Sequence, residues 1–147
     1  MRALLIAMAL MTWLGSTAIA GPTEEALQVV EKWAQAVTDA NVDGIVRLHA
    51  PDALFLSTGS KTVVTTPEAI RAHFEQALLR NRPRTAKLAE PAVLVVSDTV
   101  VVVTGVDTVT SVRKSTPVSG NGRVTFIVAK RGSDWHIVHF HRSAMPN

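Results

Sequence analysis

Residues 122–146 read GRVTFIVAKRGSDWHIVHFHRSAMP. Two runs rich in β-branched and aromatic residues, GRVTFIVAK and WHIVHFHRS, flank the turn residues RGSD, the pattern of an antiparallel hairpin. Alternation along the second run puts His136, Val138, Phe140 and Arg142 on one face. Trp135, Ile137, His139, His141 and Ser143 fall on the other, so the three histidines do not converge. With RGSD as a four-residue loop, Lys130 pairs with Trp135, Ile127 lies opposite Val138, Thr125 opposite Phe140, and Arg123 opposite Arg142. Two arginines then share one face, which a sheet disfavours. Either a carboxylate of the protein or an anion bridges them, or both lie at the open end of the sheet and point into water. A slip of one residue separates them. His139 and His141 have the spacing of a zinc-chelating pair, but nothing brings His49 or His73 near as a third ligand. A histidine in a sheet or subunit contact is the commoner outcome, and no metal is expected.

Outward from this hairpin, KLAEPAVLVV and TVVVVTGVDTVTSV are two further β-branched runs around a Ser97-Asp98 turn, with KSTPVSGNG as the loop between the hairpins. Upstream, TTPEAIRAHFEQALLRN starts as a helix, with Thr66 at the cap, Pro67 at the first helical position and Glu68 next. ALFLS is a short strand closed by Thr58 and Gly59. NVDGIVRLHA is a short helix carrying Val42, Ile45, Val46 and His49 on one stripe. TEEALQVVEKWAQAVTDA, capped by Thr23, buries Leu27, Val30, Trp33, Ala34 and Val37. Three helices followed by about four long antiparallel strands give an α+β plan. The helices cover one face of the sheet, leaving a pocket between helices and sheet and a second face free to pair with another subunit.

The 147 residues, 47% hydrophobic, suffice for one domain with a full core. Residues 1–20 are expected to be a signal peptide: Arg2 supplies a positive start, Ala3 to Leu14 is an apolar run, and Ala18-Ile19-Ala20 is a cleavage signal; the competing reading is a retained membrane anchor, against which the strongly apolar part is shorter than the ~20 residues of a spanning helix. The domain is then 21–147, periplasmic or secreted, with no membrane attachment after cleavage. Of 15 Lys+Arg, Arg2 is lost on cleavage, and the remainder nearly balances 12 Asp+Glu. That balance is too mild for nucleic acid. The densest basic stretch, RNRPRTAK with Arg80, Arg82, Arg84 and Lys87, lacks interleaved aromatics and reads as a solvated helix end. The chain has no cysteine, which excludes disulfides, thiol catalysis and cysteine-held metals.

Together, TTPEAIRAHFEQAL and the closing W-x-I-V-H-F-H-R-S resemble the association (hub) domain of calcium/calmodulin-dependent protein kinase II and its bacterial relatives. The wider group is the nuclear transport factor 2-like superfamily, with SnoaL-like polyketide cyclases, ketosteroid isomerase and SgcJ/EcaC-type proteins. The resemblance implies a cone-shaped fold, three N-terminal helices packed on a curved antiparallel sheet. It also implies a deep pocket in which Arg142, with Arg123 from the preceding strand, meets a small carboxylate. The expected ligand-binding residues are Arg142, Arg123, Phe140, Trp33 and Phe55. The resemblance to ketosteroid isomerase puts Ser57 where a general-base aspartate would stand, and serine is no proton acceptor at neutral pH. Asp107 reads as a strand-face charge and Asp52 as a turn residue.

The function expected is an exported, self-associating domain that binds a small anionic ligand, without a cofactor and without catalysis. The alternative is a SnoaL-like isomerase, cyclase or dehydratase that uses a pocket histidine such as His49 or His139 as base.

Overall fold

The computed structural model describes residues 20–78 and 84–146. The expected signal peptide, apart from Ala20, lies outside the described residues, as do Arg80 and Arg82. Helix α1 (Pro22–Thr38) is followed by α2 (Val42–Leu48), β1 (His49–Leu56), α3 (Pro67–Leu78), β2 (Arg84–Ser97), β3 (Val100–Arg113), β4 (Thr116–Arg131) and β5 (Asp134–Ala144). Five strands form one sheet in the order β1-β5-β4-β3-β2. All neighbours are antiparallel except β1 and β5, which run parallel. The helices lie on one face, as the α+β reading requires.

Local chemistry explains the helix ends. Pro22 opens α1 at a position where its missing N–H costs nothing, after Gly21; Thr23 is therefore inside the helix and not its cap. Asn41 Oδ1 accepts from Gly44 N at 2.8 Å and starts α2. Thr66 Oγ1 caps α3 by accepting from Ala69 N at 3.3 Å. His49 is not on the α2 stripe: it is the first residue of β1, where His49 pairs with Ile137. KSTPVSGNG is not a loop either. Lys114 and Ser115, both at positive φ, make a two-residue turn, and β4 runs from Thr116 through Gly120 and Gly122. Low strand propensity there is overcome by cross-strand hydrogen bonds, Thr108 to Asn121 at 3.0 Å and Thr110 with Ser119 at 3.3 Å.

The core joins α1 and α3 to the concave sheet face. Trp33 from α1 packs edge-on against Phe126, centroids 5.1 Å apart, and lies tilted against Phe140 at 5.2 Å. Phe55 stacks on Phe140 at 5.0 Å with only 10° between planes. Phe55, Phe126 and Phe140 are fully buried, each worth roughly 2–3 kcal/mol of apolar burial.

The last hairpin departs from simple alternation. Lys130 pairs with Trp135 as expected, but the register shifts between Ile127 and Val128, which pair with His139 and Ile137 and leave Val138 as a bulge. Beyond it Phe126 faces Phe140, Val124 faces Arg142, and Arg123 faces Ser143. The bulge lets Ile137 and Phe140, three residues apart, both enter the core, which strict period-two alternation forbids. Arg123 and Arg142 consequently stand on opposite faces, and the expected Arg123–Arg142 pair does not form.

His49 gives the fold a pH dependence. Its Nδ1 donates to Ile45 O at 2.8 Å, its Nε2 is buried without a partner, and burial lowers its pKa from 6.5 to about 4. Between these values the unfolded chain binds a proton that the folded chain refuses, so stability falls as pH drops from about 6.5 to about 4. The loss is on the order of 3 kcal/mol. Urea denaturation across this range is expected to show it, and His49→Asn, which keeps a donor for Ile45, is expected to remove most of the slope.

Candidate functional site

The open end of the cone holds a cavity of about 350 Å³ between α1, α3, the residues after β1 and the concave sheet face. Its apolar wall includes Trp33, Phe55, Phe74 and Phe140; its polar rim includes Ser57, Thr58, His73, Arg84, Asp107, Arg113 and Arg142. Of the five residues expected to bind ligand, Arg142, Phe140, Trp33 and Phe55 line this cavity. Arg123 does not: it is exposed on the convex face, between Val106 of β3 and Ser143 of β5.

Arg142 is held by a partner that sequence reading treated as an ordinary strand charge. Its Nε donates to Asp107 Oδ2 at 2.6 Å, and the Asp107 side chain is 4% exposed. The two residues belong to strands that are not neighbours, so the guanidinium must cross β4 between them. It does so over Gly122, the residue paired with Asp107; a Cβ there would stand 2.6 Å from Arg142 Cζ. A second contact fixes the other end, since Arg142 Nη1 donates to Thr58 Oγ1 and Thr58 Oγ1 donates to Arg142 O, both at 3.3 Å. A protein carboxylate thus partners Arg142 alone; it does not bridge two arginines, since Arg123 stands on the other face.

Two further arginines reach the rim. Arg84, read from sequence as part of a solvated helix end, donates from Nη2 to Ala77 O at 2.7 Å. Burial, then the charges of Arg113 and Arg142, push its guanidinium below its usual pKa range. Arg113 ends β3 with the parity of Asp107, Val109 and Ser111, which carries it to the same face. Among the described residues neither Arg84 nor Arg113 is in a salt bridge. The parity of Asp107 and Arg113 within a β-branched run was the available signal for both.

His73, not His49 or His139, is the cavity's histidine. Its Nε2 lies 3.2 Å from Ser57 Oγ, and burial lowers its pKa, so the imidazole is neutral near pH 7. Ser57 Oγ also meets Ser60 Oγ at 3.1 Å and accepts from Gly59 N at 3.3 Å. His139 and His141 face outward beside Leu54 and Leu56 of β1. Asp52 lies in β1, exposed, 3.6 Å from Arg131. Among the described residues no three His, Cys, Asp or Glu side chains gather as a metal-binding group.

The profile of the calcium/calmodulin dependent protein kinase II association domain matches residues 22–146. No curated protein sequence matches the chain significantly. Among solved structures, an association-domain protein from Xanthomonas campestris is 28% identical, with a TM-score of 0.79 over 94% of this chain and 99% of that one. A nuclear transport factor 2-like superfamily protein from Salmonella enterica is 20% identical, TM-score 0.76, covering 86% and 92%. The kinase II hub homology domain of Chlamydomonas reinhardtii is 19% identical, TM-score 0.73, covering 84% and 98%.

The buried ion pair is expected to dominate mutational effects at this site. Arg142→Ala leaves Asp107 buried and uncompensated and is expected to cost about 3–5 kcal/mol in urea denaturation. Adding Asp107→Ala should recover part of that loss, so the double variant is less destabilised than the sum of the singles. Strict additivity would show that the two side chains are not coupled.

Proposed function

The chain belongs to the calcium/calmodulin dependent protein kinase II association domain family, and we propose that it is an exported, self-associating domain that binds a small amphipathic anion in its cone pocket without turning it over. The observation that carries the ligand reading is the cavity's composition. Aromatic rings form its wall and three guanidinium groups its rim, with one carboxylate already engaged by Arg142. Apolar surface beside unpaired guanidinium suits a carboxylate or phosphate on a hydrophobic body.

Self-association is supported by the family and by the convex face of the sheet. Leu94, Val96 and Val106 are exposed there at 63%, 60% and 40%, beside the Thr104–Thr125 hydroxyl pair. An apolar sheet face of this kind marks an interface with another protein surface. Export rests on Arg2, the apolar run Ala3 to Leu14 and the Ala18-Ile19-Ala20 signal.

A second reading has one specific observation behind it: the Ser57–His73 contact inside the cavity makes neutral His73 a candidate general base for a SnoaL-like isomerase, cyclase or dehydratase. Turnover of a cyclic ketone or hydroxyketone that disappears in His73→Gln would favour it over binding alone.

Benzoate is a direct probe of the ligand reading. At ten times its dissociation constant it is expected to stabilise the fold by about 1.4 kcal/mol, a melting-temperature rise of a few degrees; no shift at millimolar benzoate overturns the reading. Val106→Arg, on the convex face and away from the cavity, is expected to reduce the mass measured by light scattering to that of the monomer while leaving the benzoate shift intact.

A further inference from the structure

The cavity has an annex. Beyond Arg84, Val109, Arg113 and Arg142, which both share, a second compartment of about 270 Å³ lies over the concave face where the end of β3 pairs with the start of β4. Its further walls are Ser111, Val118, Ser119 and Gly120, so the annex carries hydroxyl and guanidinium groups and no aromatic ring. Its three arginines face a single carboxylate in the adjoining wall, Asp107, which Arg142 already engages. Among the described residues two positive charges, those of Arg84 and Arg113, have no salt-bridge partner. They line the boundary between the aromatic chamber and an annex that holds the Ser111 hydroxyl.

We propose that the annex binds a dianionic head group, a phosphate monoester or a paired dicarboxylate, whose ring-bearing body lies in the aromatic chamber. The proposal rests on the pocket reading above and narrows it. A monoanion leaves one guanidinium uncompensated, whereas a dianion matches both. The planar donors of Arg84 and Arg113 suit the oxygens of such a group, and the Ser111 hydroxyl adds a further donor; Ser119 lines the annex through its backbone, its hydroxyl being turned to Thr110 on the other face. Arg142 contributes little to this charge because Asp107 neutralises it. It positions the wall, and Arg84 and Arg113 select the head group.

The test uses benzoate, phthalate and phenyl phosphate at pH 8, where the last two carry two charges, by titration calorimetry on the whole domain. Phthalate or phenyl phosphate is expected to bind at least tenfold more tightly than benzoate, and whichever gains more identifies the head group. Arg113→Ala removes an exposed side chain and should weaken the dianions by a larger factor than benzoate, bringing them to the benzoate level. Gly120→Asp is the second variant. A side chain there meets nothing within 4 Å, so it places a carboxylate in the annex without disturbing the fold, which an unchanged melting temperature in the absence of ligand verifies. It should abolish the dianion preference. Equal affinity for all three probes, or a dianion preference that survives both variants, overturns the annex while leaving the pocket reading in place. Failure of all three to bind overturns both.

Discussion

Everything at the open end of this cone depends on one buried ion pair that spans three strands. Asp107 on β3 and Arg142 on β5 are joined across β4, and the crossing exists because position 122 has no side chain to obstruct it. An unpaired carboxylate at that depth would cost several kcal/mol, and so would an unpaired guanidinium. Each therefore requires the other, and both require Gly122. Thr58 ties the residues after β1 to Arg142, so the pair also sets the position of Ser57 and the contact it makes with His73. The pocket's charge follows from the same constraint, because once Arg142 is neutralised the uncompensated charge passes to Arg84 and Arg113.

Much of this architecture was legible in the sequence because it rests on patterns with a fixed period. The helical stripes, the proline at the start of α3 and the valine runs are repeated signals, and repetition tolerates local exceptions. The site was less legible because it hinges on a single insertion in the period. Trp135, Ile137 and Phe140 are all bulky and apolar, and a strictly alternating strand cannot bury all three. That conflict was visible in the sequence, and a bulge at Val138 is its resolution. Without the bulge the parity of Arg142 against β4 is read wrongly, and Arg123 takes a place it does not occupy.

Arg84 and Asp107 were misread for a different reason. A charged residue in a helix end or on a strand is most often solvated, and that expectation holds until a partner is known. The partners here are distant in sequence: Asp107 is 35 residues from Arg142. Sequence spacing alone does not bring such groups together; the sheet order does. The same limit applies to His73, whose place against Ser57 depends on how α3 packs over β1.

The sheet order has a further consequence for how the molecule comes into being. β5, the last of the five strands in sequence, occupies an interior place between β1 and β4, and β1 joins the five-stranded sheet through β5, with one isolated bridge from Phe55 to Val64 besides. The order of synthesis and the order in space are opposed. Until β5 is available, β1 cannot join the sheet, Asp107 lacks Arg142 and the aromatic wall lacks Phe140. Closure of the sheet and creation of the pocket are thus one late, non-local event, of the kind that makes folding slow.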